Sequence, residues 1–195
     1  MVKRLVYKIL LSLHERIAYQ LKQYYYRKAL SRNLRGRPTI VQLTQFEGLG
    51  AILIGDTVQL GYSISPQHLT ASIYIEAREK DATVSIAENV VINNNCSIVA
   101  DKTSIRIGAN TLIGVNVHIS DSDGHAMHPL KRRLGEQQCA PVVIGQNVFI
   151  GSHVIILKGV EIGENSVIGS GSVVVKSIPA NVIAAGNPAK IIKPL

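Results

Sequence analysis

A chain of 195 residues can bury one sizeable core, and this one is 46% hydrophobic but only 5% aromatic with no Trp, which points to a narrow interior built from Ile and Val. Two cysteines, Cys96 and Cys139, exclude a disulfide framework, and with no export signal visible, reduced thiols in the cytosol are the expectation. The net charge of +8 belongs to residues 1–35, which carry nine Lys or Arg against Glu15 alone; the remainder holds twelve of each sign, excluding a general nucleic-acid surface on the main body.

Residues 1–36 are expected to form a basic helical arm. Leu5, Ile9, Leu13, Ile17 and Leu21 recur four apart, and Lys3, Lys8, Arg16, Lys22 and Arg27 lie largely off that line. Lys8 interrupts the apolar run and no small-residue cleavage site follows, unlike a signal peptide, and the segment is too charged to span a bilayer. Two readings suit it: a helix packed on the main domain or on a partner subunit, or one laid on an anionic membrane surface. The second reading places a cytoplasmic protein at the inner face of a membrane.

From residue 37 onward the organising signal is a period of six. Ile144, Ile150, Ile156, Ile162, Ile168 and Val174 occupy the second position of consecutive hexads, and Gly follows in four of the six. The frame returns upstream at Ile86, Ile92 and Ile98, slips by three residues, and resumes at Ile107, Ile113 and Ile119. Weaker copies stand at Ile54 and Leu60, within LIGDTVQLGYSI. A period of 3.6 would scatter these positions, and antiparallel hairpins would show turn signals every 8–12 residues. Hexads fit a triangular prism, with a short strand and a corner per unit, three units per coil, and coils stacked about 4.8 Å apart. Gly and Asn take the corners, where positive φ is cheap. From Ile54 to Ile178 the count is roughly five to six coils.

Between residues 120 and 142 the rhythm stops, inside ISDSDGHAMHPLKRRLGEQQCAPVVI. A solenoid gains nothing by extruding some twenty residues, and loops of that length are usually functional or disordered. This one carries Asp121, Asp123, His125 and His128, then Lys131, Arg132 and Arg133. Imidazole titrates near neutrality and can take a proton from an attacking hydroxyl. Asp121 or Asp123 could orient that ring, or both could cap the turn where the chain leaves its coil.

The hexads, together with VFIGSH at 148–153 and SVIGSGSVVVKSIPANVIAAGNPAKIIK at the C-terminus, resemble the hexapeptide-repeat acetyltransferases. Their fold is an all-β solenoid, a left-handed parallel β-helix, a handedness that comes from the resemblance and not from the spacing. From about Asn89 to Lys193 the chain is similar to the maltose and galactoside O-acetyltransferases and their relatives in polysaccharide assembly. The resemblance implies an acetyl-CoA-dependent O-acetyltransferase acting on a sugar or glycan hydroxyl, assembled as a homotrimer. It implies His125 as general base, with His128 second, and Asn95 beside the acyl group; Asp123 joins them as the catalytic carboxylate candidate, with the choice between Asp121 and Asp123 as the residue that orients the ring left open. It also implies a coenzyme A track along Gly151, Ser152 and Ser170, then Val175 and Lys176, with Lys190 and Lys193 at the nucleotide end. Ser152 and Ser170 stand eighteen residues apart, one coil, so spacing alone stacks them. Two departures are visible. Phe149 stands where the family often has Trp, and the basic arm differs from the helical segment of the maltose and galactoside enzymes, which leaves the acceptor open. Two alternatives are N-acetylation of an amino or nucleotide sugar, and a metal-dependent carbonic anhydrase on the same fold. The latter needs three converging histidines; His118 and His153 fall on coils, but position 158 is Lys158, and no metal site is expected.

Overall fold

The computed structural model describes residues 13–14, 17–21, 24–25 and 33–195. Residues 33–195 form a triangular prism of parallel strands, the left-handed parallel β-helix that the hexads imply. The first face stacks Leu34–Arg35, Ala51–Ile54, Thr83–Ile86, Ser104–Ile107, Val142–Ile144 and Glu161–Ile162. The second stacks Thr39–Ile40, Gln59–Leu60, Val91–Ile92, Leu112–Ile113, Phe149–Ile150 and Val167–Ile168, then the hairpin of Val182–Gly186 with Ala189–Pro194. The third stacks Thr44–Gly48, Ile73–Ala77, Ser97–Ala100, His118–Ser120, Ile155–Ile156 and Val173–Val174. Among the described residues, all pairings between these strands are parallel except the terminal hairpin.

The register explains the period. Ile86 aligns with Ile107 and Ile107 with Ile144; Ile92 aligns with Ile113, and Ile98 with Ile119. Each of these side chains is essentially buried, and full burial of an aliphatic side chain contributes about 1.5–3 kcal/mol. The residue two before each also points inward, as Val142, Val148, Val154 and Val160 do. Where this second position is polar, its hydroxyl is satisfied locally: Ser166 Oγ donates to Pro179 O at 2.7 Å, and Thr111 Oγ1 to Gly145 O at 3.0 Å.

Corners carry the left-handed residues. Asn89, Asn110, Asn147, Asn165 and Asn181 form one column with φ between 54° and 60°. Asn165 receives an amide bond from Asn147 and gives one to Asn181, both at 2.9 Å. Asn95, Asn116 and His153 form a second column between the second and third faces.

Two features extend the hexad reading. The solenoid begins at Leu34, so a coil precedes Ile54. The chain also leaves the prism a second time, between Gln59–Leu60 and Ile73–Ala77. Ile64, six residues after the inward-facing Val58, is 86% exposed there. Buried Asn94 holds this excursion, donating to Tyr62 O at 3.0 Å and Pro66 O at 2.9 Å, while Gln42 Nε2 donates to Gln67 O at 2.8 Å. The three-residue slip after Ile98 arises because Ser97–Ala100 is a longer strand followed by a tight corner at 101–103.

The described residues of the arm are helical. Tyr19 attaches them, through a hydroxyl bond to Val41 O and ring contact with His68 at 5.7 Å between centroids. Leu13, Ile17 and Leu21 remain exposed.

Candidate active site

The large excursion leaves the third face after His118–Ser120 and re-enters the first at Val142–Ile144. Its base is an antiparallel zip. Ala140 N donates to Asp121 O at 2.8 Å, Asp123 N donates to Gln138 O at 3.2 Å, and Ser122 bridges Cys139. Gly124 follows with φ 72°, in open space, a backbone that glycine adopts without strain. His125 comes next, exposed and, among the described residues, without a hydrogen-bond partner. His128 opens the short 3₁₀ turn Pro129–Lys131 and is also exposed.

The two aspartates separate. Asp121 is fully buried. Its carboxylate accepts from Asp101 N at 2.6 Å, Thr103 N at 2.7 Å, Thr103 Oγ1 at 2.8 Å and Lys102 N at 3.3 Å. It caps the corner below the excursion. Asp123 lies 3.5 Å from Lys158 Nζ, two residues before His125.

The remaining candidates fall on two corners at opposite ends of the third face. On the corner entering that face stand Asn95, then Gly151 and Ser152, then Ser170, each on a successive part of one ridge. Asn95 has φ 57°, donates one side-chain amide hydrogen to Asn116 Oδ1 at 2.7 Å, and its backbone N–H donates to Gln42 Oε1 at 2.8 Å. Ser152 N donates to Ser170 Oγ at 3.1 Å, so the two serines stack as their eighteen-residue spacing requires. A Cβ on Gly151 would meet Ser170 N at 2.6 Å, which reserves that place for glycine. On the corner leaving the face stand the excursion with His125 and, two coils further, Val175 and Lys176, both exposed. Lys190 and Lys193 are exposed on the terminal hairpin.

The histidines on coils do not converge. His118 Nδ1 lies 2.6 Å from Ser97 Oγ on the third face, and burial lowers its pKa. His153 sits at a left-handed corner with Asn116 Nδ2 3.3 Å from its Nε2. Among the described residues, no three His, Cys, Asp or Glu are grouped to hold a metal ion. Neither thiol is activated: burial pushes Cys96 up to about 12, and burial followed by the charges of Asp121 and Asp101 raises Cys139.

Sequence reasoning missed one cluster. Arg78 holds Glu76 through Nε and Nη2, both at 2.9 Å, and Asp101 through Nη1 at 3.2 Å, with Glu76 and Asp101 buried. Arg78 is raised in pKa, first by its bond to Glu76. The burial of Asp101 carries no periodic signature.

A family model described as bacterial transferase hexapeptide (six repeats) matches residues 141–176. The galactoside O-acetyltransferase of Escherichia coli K12 is 48% identical over 112 residues, covering 57% of this chain and 54% of that one. A solved galactoside acetyltransferase in complex with coenzyme A superposes with TM-score 0.53 at 29% identity, covering 93% of this chain and 80% of that one. The polySia specific acetyltransferase NeuO superposes with TM-score 0.56 at 30% identity, covering 83% of this chain and 69% of that one. The chain spans about half the length of the curated relatives it matches.

Proposed function

This chain belongs to the hexapeptide-repeat acetyltransferase family, and from that premise we propose that it moves the acetyl group of acetyl-CoA onto a hydroxyl of a sugar or glycan, with His125 as general base. The observation that carries the reading is the division of the candidate residues between two ridges. Asn95, Ser152 and Ser170 stand at one end of the third face, and His125, Val175 and Lys176 at the other. One copy cannot close a site from both ridges. A three-fold ring sets the first ridge of each copy against the second ridge of its neighbour, using one interface three times.

In the resulting groove, Lys190 and Lys193 meet the phosphates of coenzyme A, for which ammonium groups are suited. Its amide arm pairs with backbone groups past Ser170 and Ser152 toward Asn95. The terminal hairpin follows the last full coil, so about four coil spacings, roughly 19 Å, separate it from the coil of Asn95. His125 takes the proton from the acceptor hydroxyl as its oxygen attacks the thioester carbon. Backbone N–H groups and the second amide hydrogen of Asn95 stabilise the oxyanion. The carbon–sulfur bond then breaks and the imidazolium protonates the leaving thiolate. Asp123, two residues before the base and 3.5 Å from Lys158 Nζ, is the aspartate left to orient the ring; Asp121 is not, because its oxygens already have four donors.

The acceptor fits a lipid-linked precursor of a cell-surface polysaccharide. Leu13, Ile17 and Leu21 are exposed on an arm segment of net charge +8, which suits peripheral contact with an anionic surface at the cytoplasmic face. No described helix is long and apolar enough to cross a membrane.

The test is thiol release from acetyl-CoA with a panel of a galactoside, maltose, an amino sugar and a lipid-linked glycan. His125→Ala is expected to lose turnover and keep its oligomeric state and coenzyme A binding. Retention of most activity by that variant sinks the assignment.

A further inference from the structure

The excursion at 121–141 has two limbs, and one buried residue outside it grips both. Asp101 N donates to Asp121 Oδ1 at 2.6 Å on the outgoing limb. The carboxylate of Asp101 accepts from Gln137 Nε2 on the returning limb. Arg78, on the coil before, fixes that carboxylate through Nη1 at 3.2 Å and is itself held in a two-pronged bond by Glu76. Asp101 is 1% exposed.

This arrangement differs from ordinary support of the solenoid. The hexad columns and the corner asparagines hold coil to coil without Asp101's side chain. That side chain serves the excursion: its bonds run to Arg78 and to Gln137, and the second of these ends on a limb that belongs to no sheet. The outgoing limb is fixed up to Asp123 by the zip, and His125 follows two residues later, after the unhindered Gly124. The aim of the imidazole is therefore set by how firmly the two limbs are held together. Arg78 offsets the cost of keeping a carboxylate in so dry a place, since a buried charge is tolerated when paired and hydrogen-bonded.

We propose that Asp101 and Gln137, with Arg78 behind them, are positioning residues that clamp the two limbs of the excursion and so hold His125 in its working geometry. The inference rests on the reading of His125 as the base. It goes beyond that reading by locating the control of the base in Arg78, Asp101 and Gln137, none of which that reading sets against either substrate. An error of about 1 Å in placing a reacting group can cost about a hundredfold in rate, so the loss of one of two grips is expected to act mainly on turnover.

Lys131, Arg132 and Arg133 lie exposed at the tip of the excursion and supply a readout independent of activity. Gln137→Ala in the full chain is expected to be nicked by trypsin at these positions about tenfold faster than the parent, because local opening exposes the tip to the protease. The variant's kcat in the thiol-release assay is expected to fall about tenfold, with KM for acetyl-CoA within about twofold. Gln137→Asn, with a shorter amide, is expected to recover part of both losses, and Arg78→Lys to show both, with a smaller rise in nicking.

An unchanged nicking rate in Gln137→Ala overturns the clamp. Faster nicking with kcat unchanged overturns the positioning role. A rise in KM for acetyl-CoA with kcat intact also overturns it, since it assigns the network to the cofactor groove. If His125→Ala keeps its activity while Gln137→Ala nicks faster, the base has been misassigned and the clamp survives.

Discussion

Asp121→Asn is a change of one atom whose effect follows from the hydrogen bonds around it. The native carboxylate meets only donors: the N–H groups of Asp101, Lys102 and Thr103 and the Thr103 hydroxyl. Asparagine keeps one acceptor oxygen, which can retain Asp101 N–H, and turns an NH₂ group toward Thr103. The threonine hydroxyl can rotate and accept, but the Thr103 N–H cannot. Two N–H donors lose their acceptor, Thr103 at 2.7 Å and the weaker Lys102 at 3.3 Å; orphaning the first costs about 1–3 kcal/mol, and the retained bond loses its charge assistance. The sum is about 2–4 kcal/mol, and at about 2–4 °C per kcal/mol for a chain of this size, melting should fall by roughly 5–15 °C. Far-ultraviolet circular dichroism of the purified variant reads the shift. A fall of less than about 2 °C refutes the reasoning, for it would mean that the corner at 101–103 does not depend on the buried charge.

Three further outcomes are expected. Burial lowers the pKa of His118, so the unfolded chain binds a proton below its ordinary value of 6.5 while the folded chain does not yet; stability should decline as pH falls from 7 toward 5, and His118→Asn should flatten that decline in melting curves. Gly151→Ala drives a Cβ into Ser170 N and should raise KM for acetyl-CoA severalfold and lower the melting temperature; a variant with unchanged kinetics would separate this ridge from the cofactor. Deleting residues 1–25 should abolish co-sedimentation with anionic vesicles and leave turnover on a soluble acceptor intact, whereas equal binding by both forms rules the arm out as the contact.

The fold could be read from the chain because its constraint is repetitive. Ile86, Ile107 and Ile144 must stack, and so must Ile98 and Ile119, so the pattern announces itself in a single sequence. What escaped were places where the same residue types serve another purpose. Ile64 keeps the rhythm and leaves the prism, because the backbone of 62–68 is held by Asn94 and Gln42, whose roles have no period. The site was legible as residue types near an interruption, not as partnerships. Asp121 and Asp123 look alike in sequence; one is enclosed by backbone donors and the other faces Lys158. Asp101 gave no sign at all, since its importance lies in touching residues 20 and 36 positions away.

The in-register stacking of the coils has an evolutionary corollary. A residue added within a strand would turn every following inward side chain outward, so the shaft is closed to changes of length. Corners are not, and both large insertions here are spliced into corners, one beside the ridge of Asn95 and one carrying His125. New substrate preferences can therefore be acquired by grafting longer or shorter segments at those joints, while the supporting column passes unchanged from one descendant to the next.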